Sequence, residues 1–166
     1  MREEYFMEIA IAQAEIALLG GEFPVGCVIA DERKVIATGV RRGTAGGTLN
    51  EVDHAEIIAL RNLCEQKLPM EKNGLTIYTT MEPCLMCLGA IILSGIPKIV
   101  YAYEDVMGGS AGCNLADLKP LYRDARITIV PNILREKSLT LFKKFFRTPT
   151  HDYWKNSLLA RYTLDQ

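Results

Sequence analysis

The chain has 166 residues, enough for one domain with a full core and no need of crosslinks. It is 49% hydrophobic and 23% charged, with 19 Lys and Arg against 20 Asp and Glu, which excludes a disordered chain and gives no global reason to expect a nucleic-acid or membrane partner. Five scattered cysteines, an N-terminus beginning Met1-Arg2-Glu3-Glu4, and no apolar run near the ~20 residues that span a bilayer lead us to expect a cytoplasmic protein with no membrane association.

From Glu3 to Leu19, Phe6, Ile9, Ala10, Gln13, Ile16, Ala17 and Leu19 recur at mostly three- and four-residue intervals before Gly20-Gly21, which predicts an amphipathic helix with a glycine stop. Val25 to Ala30 and Val35 to Val40 are short runs rich in β-branched residues around a polar Asp31-Glu32-Arg33-Lys34, so a hairpin is expected. Arg41 to Asp53, with Gly43, Gly46, Gly47 and Asn50, reads as a loop. Asp53 is the expected N-cap of a helix carrying His54, Glu56, Ile57, Ile58, Leu60, Arg61 and Cys64. A strand over Leu75 to Thr79 leads through Pro83 into a helix carrying Cys84 and Cys87, which ends at Ser94-Gly95. Strands are expected at Lys98 to Tyr103 and Arg126 to Val130, and helices at Ile133 to Phe146 and Asp152 to Tyr162. The alternation of strands and helices argues one α/β layered domain over residues 1–166, with helices on both faces of its sheet.

Cys84 and Cys87 stand one turn apart at a helix start, where partial positive charge and unpaired N–H groups favour thiolates. With His54 they make an S, S, N set of three ligands, the count found in catalytic zinc sites that keep a fourth position open. Glu56 then has the place of a general base beside a bound water. A thioredoxin-like Cys-x-x-Cys would need no upstream His-x-Glu, and a structural zinc site would need a fourth ligand, for which Cys113 is the spare thiol.

His54-Ala55-Glu56 followed by Pro83-Cys84-Leu85-Met86-Cys87 resembles the H-x-E…P-C-x-x-C signature of the zinc-dependent cytidine and nucleobase deaminases. Phe23-Pro24-Val25-Gly26-Cys27 looks like the strand opening that lines that family's pocket, and residues 3–147 follow its order of elements. The resemblance implies a three-layer α-β-α sandwich around a central five-stranded mixed sheet, with Zn2+ as cofactor on His54, Cys84 and Cys87. It also implies Glu56 as the catalytic proton shuttle, and a substrate held by Phe23, Val25, Gly26, Cys27, Met81, Glu82 and Asp105. A noncatalytic zinc-stabilised interaction module would have no use for Glu56.

Within the family, Met86, Gly89, Ala55, Ala90 and the Asp105 to Gly112 loop resemble the tRNA adenosine and guanine deaminase branch, so an amino-purine base or nucleoside is the expected substrate. Wobble-adenosine deamination in tRNA is the alternative. The tRNA enzymes usually carry an asparagine where this chain has Arg41 or Arg42, and guanine deaminases usually carry a carboxylate where it has Met107. Arg135, Lys137, Lys143 and Lys144 interleave with Phe142, Phe145 and Phe146, which reads as an amphipathic helix rather than a tRNA-gripping row. Tyr153, Trp154, Leu158, Leu159 and Tyr162 form an apolar stripe in a C-terminal extension, residues 148–166. Resemblance to guanine deaminases places this extension at a homodimer interface or over the site.

Overall fold

The computed structural model of the protein describes residues 2–46, 49–66, 72–149 and 152–166. Gly47 of the expected loop and His151 of the C-terminal tail lie outside the described residues. The chain runs α1 (Arg2–Leu19), β1 (Gly26–Ala30), β2 (Val35–Val40), α2 (Ala55–Glu65), β3 (Thr76–Met81), α3 (Leu85–Ser94), β4 (Lys98–Tyr103), α4 (Pro120–Arg123), β5 (Thr128–Val130), α5 (Arg135–Arg147) and α6 (Leu158–Asp165). One five-stranded sheet has the order β2-β1-β3-β4-β5. It is mixed: β1 pairs antiparallel with β2 and β3, while β3, β4 and β5 are parallel. This is the expected α/β sandwich.

Strand alternation assigns the faces. Val28, Tyr78 and Val100 pack with Phe6, Met7, Ala10 and Ile11 of α1, whereas Cys27, Ile29, Ile77 and Ile99 pack with Ala55 and Ala59 of α2 and Leu88 and Ile91 of α3. Each aliphatic side chain so buried stabilises the fold by roughly 1.5–3 kcal/mol relative to exposure. Two glycines let the helices sit this close. A Cβ on Gly26 would lie 2.2 Å from the Ala10 carbonyl oxygen of α1, and one on Gly39 would lie 2.0 Å from the Ala55 carbonyl oxygen of α2.

Several local expectations are displaced. The buried stripe of α1 is Phe6, Met7, Ala10, Ile11, Ala14 and Ala17, while Ile16 and Leu19 are exposed. His54, not Asp53, is the N-cap of α2, because the Asp53 carboxylate is engaged by Asn50 Nδ2 at 2.9 Å and Arg61 Nη1 at 3.0 Å. Strand β3 runs on to Met81, which carries the chain to the very start of the cysteine motif. The C-terminal helix is shorter than its apolar spacing suggests, spanning only Leu158–Asp165. The Ser157 hydroxyl accepts a hydrogen bond from Ala160 N at 3.0 Å, which starts the helix there and leaves Tyr153 and Trp154 in the preceding turns. Helix α5 buries Leu139, Phe142, Phe145 and Phe146 and leaves Lys144 exposed, the amphipathic arrangement expected of it. No helix is long and apolar enough to cross a membrane, among the described residues.

Candidate active site

The carboxyl ends of parallel strands β3 and β4 deliver the site, where chain reversals in open α/β sheets leave a crevice. After Met81 the chain turns through Glu82 and Pro83, and Cys84 takes an extended N-cap conformation (φ −74°, ψ 173°) ahead of α3, placing Cys87 in the first turn. His54 holds the corresponding N-cap position of α2 (φ −64°, ψ 151°). Two helix N-termini therefore converge.

His54 Nδ1 lies 3.6 Å from Cys84 Sγ and 3.5 Å from Cys87 Sγ. The three ligand atoms all fall within 4.8 Å of one another. A tetrahedral zinc at ordinary Zn–N and Zn–S lengths would set N and S about 3.5 Å apart, so the donor set fits that ion. The thiols are not equivalent. A hydrogen bond from Cys87 draws Cys84 down to about 4, while Cys87, bonded to Cys84 and buried, is driven up. The helix starts alone would acidify both. Two thiolates side by side repel, so the pair keeps a proton that a divalent cation would displace.

Glu56, in the first turn of α2, is only 3% exposed. Burial pushes its carboxyl above the usual carboxylate range, against the opposing pull of His54. Its Oε1 accepts a hydrogen bond from Thr79 Oγ1 at 3.2 Å. Thr79 pairs across the sheet with Cys27, so both residues lie on the face toward α2.

These groups open into a cavity of about 380 Å³, walled by His54, Glu56 and Cys84, by Phe23, Val25 and Met81, and by Glu82, Asp105 and Gly108. The model of the cytidine and deoxycytidylate deaminase zinc-binding region matches residues 1–103. The chain belongs to this deaminase family. It is 36% identical over 143 residues to a tRNA-specific adenosine deaminase of Rickettsia felis, covering 85% of this chain and 98% of that one. It is 30% identical over 146 residues to the tRNA-specific adenosine deaminase of Bacillus subtilis, covering 88% and 89%. A structure from work on A-to-I editing by tRNA:A34 deaminases superposes with a TM-score of 0.65 at 26% identity, over 82% of this chain and 98% of that one. A guanine deaminase from Nitrosomonas europaea shares the fold, with a TM-score of 0.67 at 20% identity over 86% and 83%.

The deaminase is thus a zinc enzyme, with His54, Cys84 and Cys87 positioned to bind the ion. Of the residues expected to hold substrate, Phe23, Val25, Met81, Glu82 and Asp105 line the deaminase cavity, and Gly26 and Cys27 do not. Gly26 faces α1, and Cys27 is fully buried in the core. Glu82 spends its carboxylate on the following loop, Oε2 accepting from Asp105 N at 3.1 Å and Oε1 from Ala111 N at 2.8 Å. Asp105 Oδ1 accepts from Met107 N and Gly108 N, each at 2.9 Å. Both carboxylates shape the wall through the backbone.

The rest of the cavity comes from residues that the motif does not announce. Arg41, Glu51, Tyr153 and Trp154 line it as well. Tyr153 and Trp154 belong to the C-terminal tail and stack at 5.5 Å between ring centroids. They join an aromatic cluster around Phe23, whose ring lies 5.4 Å from Tyr153 and 5.1 Å from Phe142. The aromatic stripe of the tail was visible in the sequence, but nothing in it points to Phe23.

Proposed function

We propose that this deaminase converts adenine to hypoxanthine at the wobble position of a tRNA anticodon. The burial of Glu56 beside the His54, Cys84, Cys87 triad carries the chemistry, since it places one proton-transfer group at an open metal site. What supports adenosine in tRNA is that relatives bearing that name match this chain over nearly their whole length.

Bound by the triad, zinc supplies Lewis acidity that brings the pKa of a water near neutrality. Glu56 takes the proton of the attacking water and gives it to the ring nitrogen beside the amine-bearing carbon. Water's oxygen ends as the ring oxo group, the carbon–nitrogen bond to the amine breaks, and Glu56 returns a proton to the departing ammonia. Thr79 holds the Glu56 carboxylate toward that position. Phe23, Val25 and Met81 supply the apolar walls that a planar base needs.

The discriminating assay is ammonia release from an anticodon stem-loop with adenosine at the wobble position, against adenosine, adenine, guanine, cytidine and cytosine. Turnover of the stem-loop alone is expected. A free amino-purine base as substrate is the second reading, favoured by Tyr153 and Trp154, which bring the C-terminal tail into the cavity wall and narrow the room for a polynucleotide. Turnover of guanine or adenine with none of the stem-loop selects it.

We further infer that residues 1–166 act as one domain whose extension, residues 148–166, closes over its own site. A cytoplasmic homodimer is our reading of the assembly. The exposed apolar side chains Leu85 and Leu118 border one groove with Ile92 and Tyr122, a surface that a second copy would cover.

A further inference from the structure

We propose that Ser110, with Glu82, positions Cys84 for zinc, fixing from outside a helix start that does not fix itself. An N-cap side chain ordinarily accepts a hydrogen bond from its own helix, which locks the first turn. Cys84 holds the N-cap of α3 and makes no such bond among the described residues, so its sulfur is left for the metal and the turn lacks its usual lock. Pro83, just before it, has no N–H, and its carbonyl is the remaining handle on the peptide that enters Cys84. That peptide is planar, so whatever holds the Pro83 oxygen also sets the direction from which the Cys84 side chain leaves.

The loop after β4 takes hold of that oxygen. Ser110 is 2% exposed, and both its Oγ at 2.6 Å and its N at 3.0 Å donate to Pro83 O. Its neighbours extend the contact: Gly109 forms an antiparallel bridge with Cys84, and Ala111 N donates to Glu82 Oε1 at 2.8 Å. The approach is so close that a Cβ on Gly109 would lie 2.3 Å from Glu82 Cδ. Residues 82–84 are thus each tied to residues 109–111, and the same loop contributes Asp105 and Gly108 to the cavity wall. One strap sets both the thiol and the wall beside it.

Zinc retention tests this without any substrate. Zinc-loaded protein is mixed with excess EDTA, and bound zinc is followed over time in the intact chain, Ser110→Ala and Ser138→Ala. Ser138 is the matched control, a fully buried hydroxyl that donates to Thr80 O at 2.6 Å, within a strand paired on both sides. Loss of the buried hydrogen bond should speed zinc release about tenfold in Ser110→Ala and less than about twofold in Ser138→Ala. Cobalt loaded in place of zinc should show a shifted ligand-field spectrum in Ser110→Ala alone. Equal release from the two variants, release from Ser110→Ala that matches the intact chain, or an unshifted cobalt spectrum overturns the proposal. If Ser110→Ala does not fold, Glu82→Gln decides. Gln keeps the side-chain shape and loses one of the two acceptors, so about threefold faster release is expected, and unchanged release overturns the strap.

Discussion

In the proposed chemistry Glu56 and the Thr79 hydroxyl that bonds it make separable contributions. Glu56→Ala is expected to leave zinc stoichiometry unchanged by metal analysis and to lower kcat by about 10²–10⁴-fold, the range for loss of a general acid–base group. Full turnover in that variant would rule out the proposed proton path. Thr79→Val keeps the shape of the buried side chain and removes the hydroxyl that bonds Glu56 at 3.2 Å. A fall in kcat of about tenfold with KM held is the expected signature, since one hydrogen bond orients the carboxylate without touching the base. The same residue scale explains what sequence alone conveys about the site. His54, Glu56, Cys84 and Cys87 are legible because metal ligation and proton transfer demand particular side chains at short spacings. Arg41, Glu51 and Tyr153 carry no such signature, and Tyr153 stands 102 residues from Glu51.

At the scale of elements, the site depends on how closely α2 approaches the sheet. Gly39 faces the α2 backbone, where an added Cβ would lie 2.0 Å from the Ala55 oxygen and 2.6 Å from the Ala59 nitrogen. Backbone cannot step aside as a flexible side chain can. Gly39→Ala should therefore destabilise the fold by roughly 1–3 kcal/mol in urea unfolding and, because His54 caps the displaced helix, weaken zinc retention against a chelator. Unchanged zinc retention would show that α2 absorbs the shift. Strand alternation also accounts for the one group of expected substrate contacts that divides. Phe23 to Cys27 reads as a single wall in sequence, but adjacent strand residues point to opposite faces, so Gly26 meets α1 while Cys27 joins the core beneath α2. Fold class was legible from the spacing of apolar runs. The late start of the terminal helix was not foreseeable from apolar spacing, because Ser157 caps it at a point that the stripe crosses without interruption.

For the molecule as a whole, one carboxylate joins the end of β4 to both C-terminal helices. Glu104, just past β4, accepts from Arg135 Nε of α5 at 2.8 Å and from the Tyr162 hydroxyl of α6 at 2.6 Å. Burial would raise its carboxyl, but the Arg135 and Tyr162 hydrogen bonds hold it below the ordinary range. A depressed carboxylate contributes stability above its unfolded pKa and loses it as pH falls through the folded value. Acidification below the ordinary glutamate range is thus expected to undock α6, seen as faster amide exchange in Leu158–Asp165 than in β3. Glu104→Gln should bring that loosening to neutral pH and lower Tm by about 4–8 °C, the equivalent of about 2 kcal/mol for a chain this size. Exchange of α6 that is indifferent to pH would assign its docking to the buried Leu159 and the Tyr103–Thr163 hydrogen bond instead. The assembly has its own check: light scattering at micromolar concentration should give twice the 18.5 kDa chain mass, and a monomer mass would remove the homodimer reading.

Tyr153 stacks on Trp154 at 5.5 Å between ring centroids. Trp154 is the only tryptophan in the chain, and it stands in the cavity wall on a residue with φ +53°. The protein's indole emission therefore originates in the wall of this cavity. Rapid mixing with a purine would record the arrival of ligand and the settling of the tail as changes in one intrinsic signal, without any label attached.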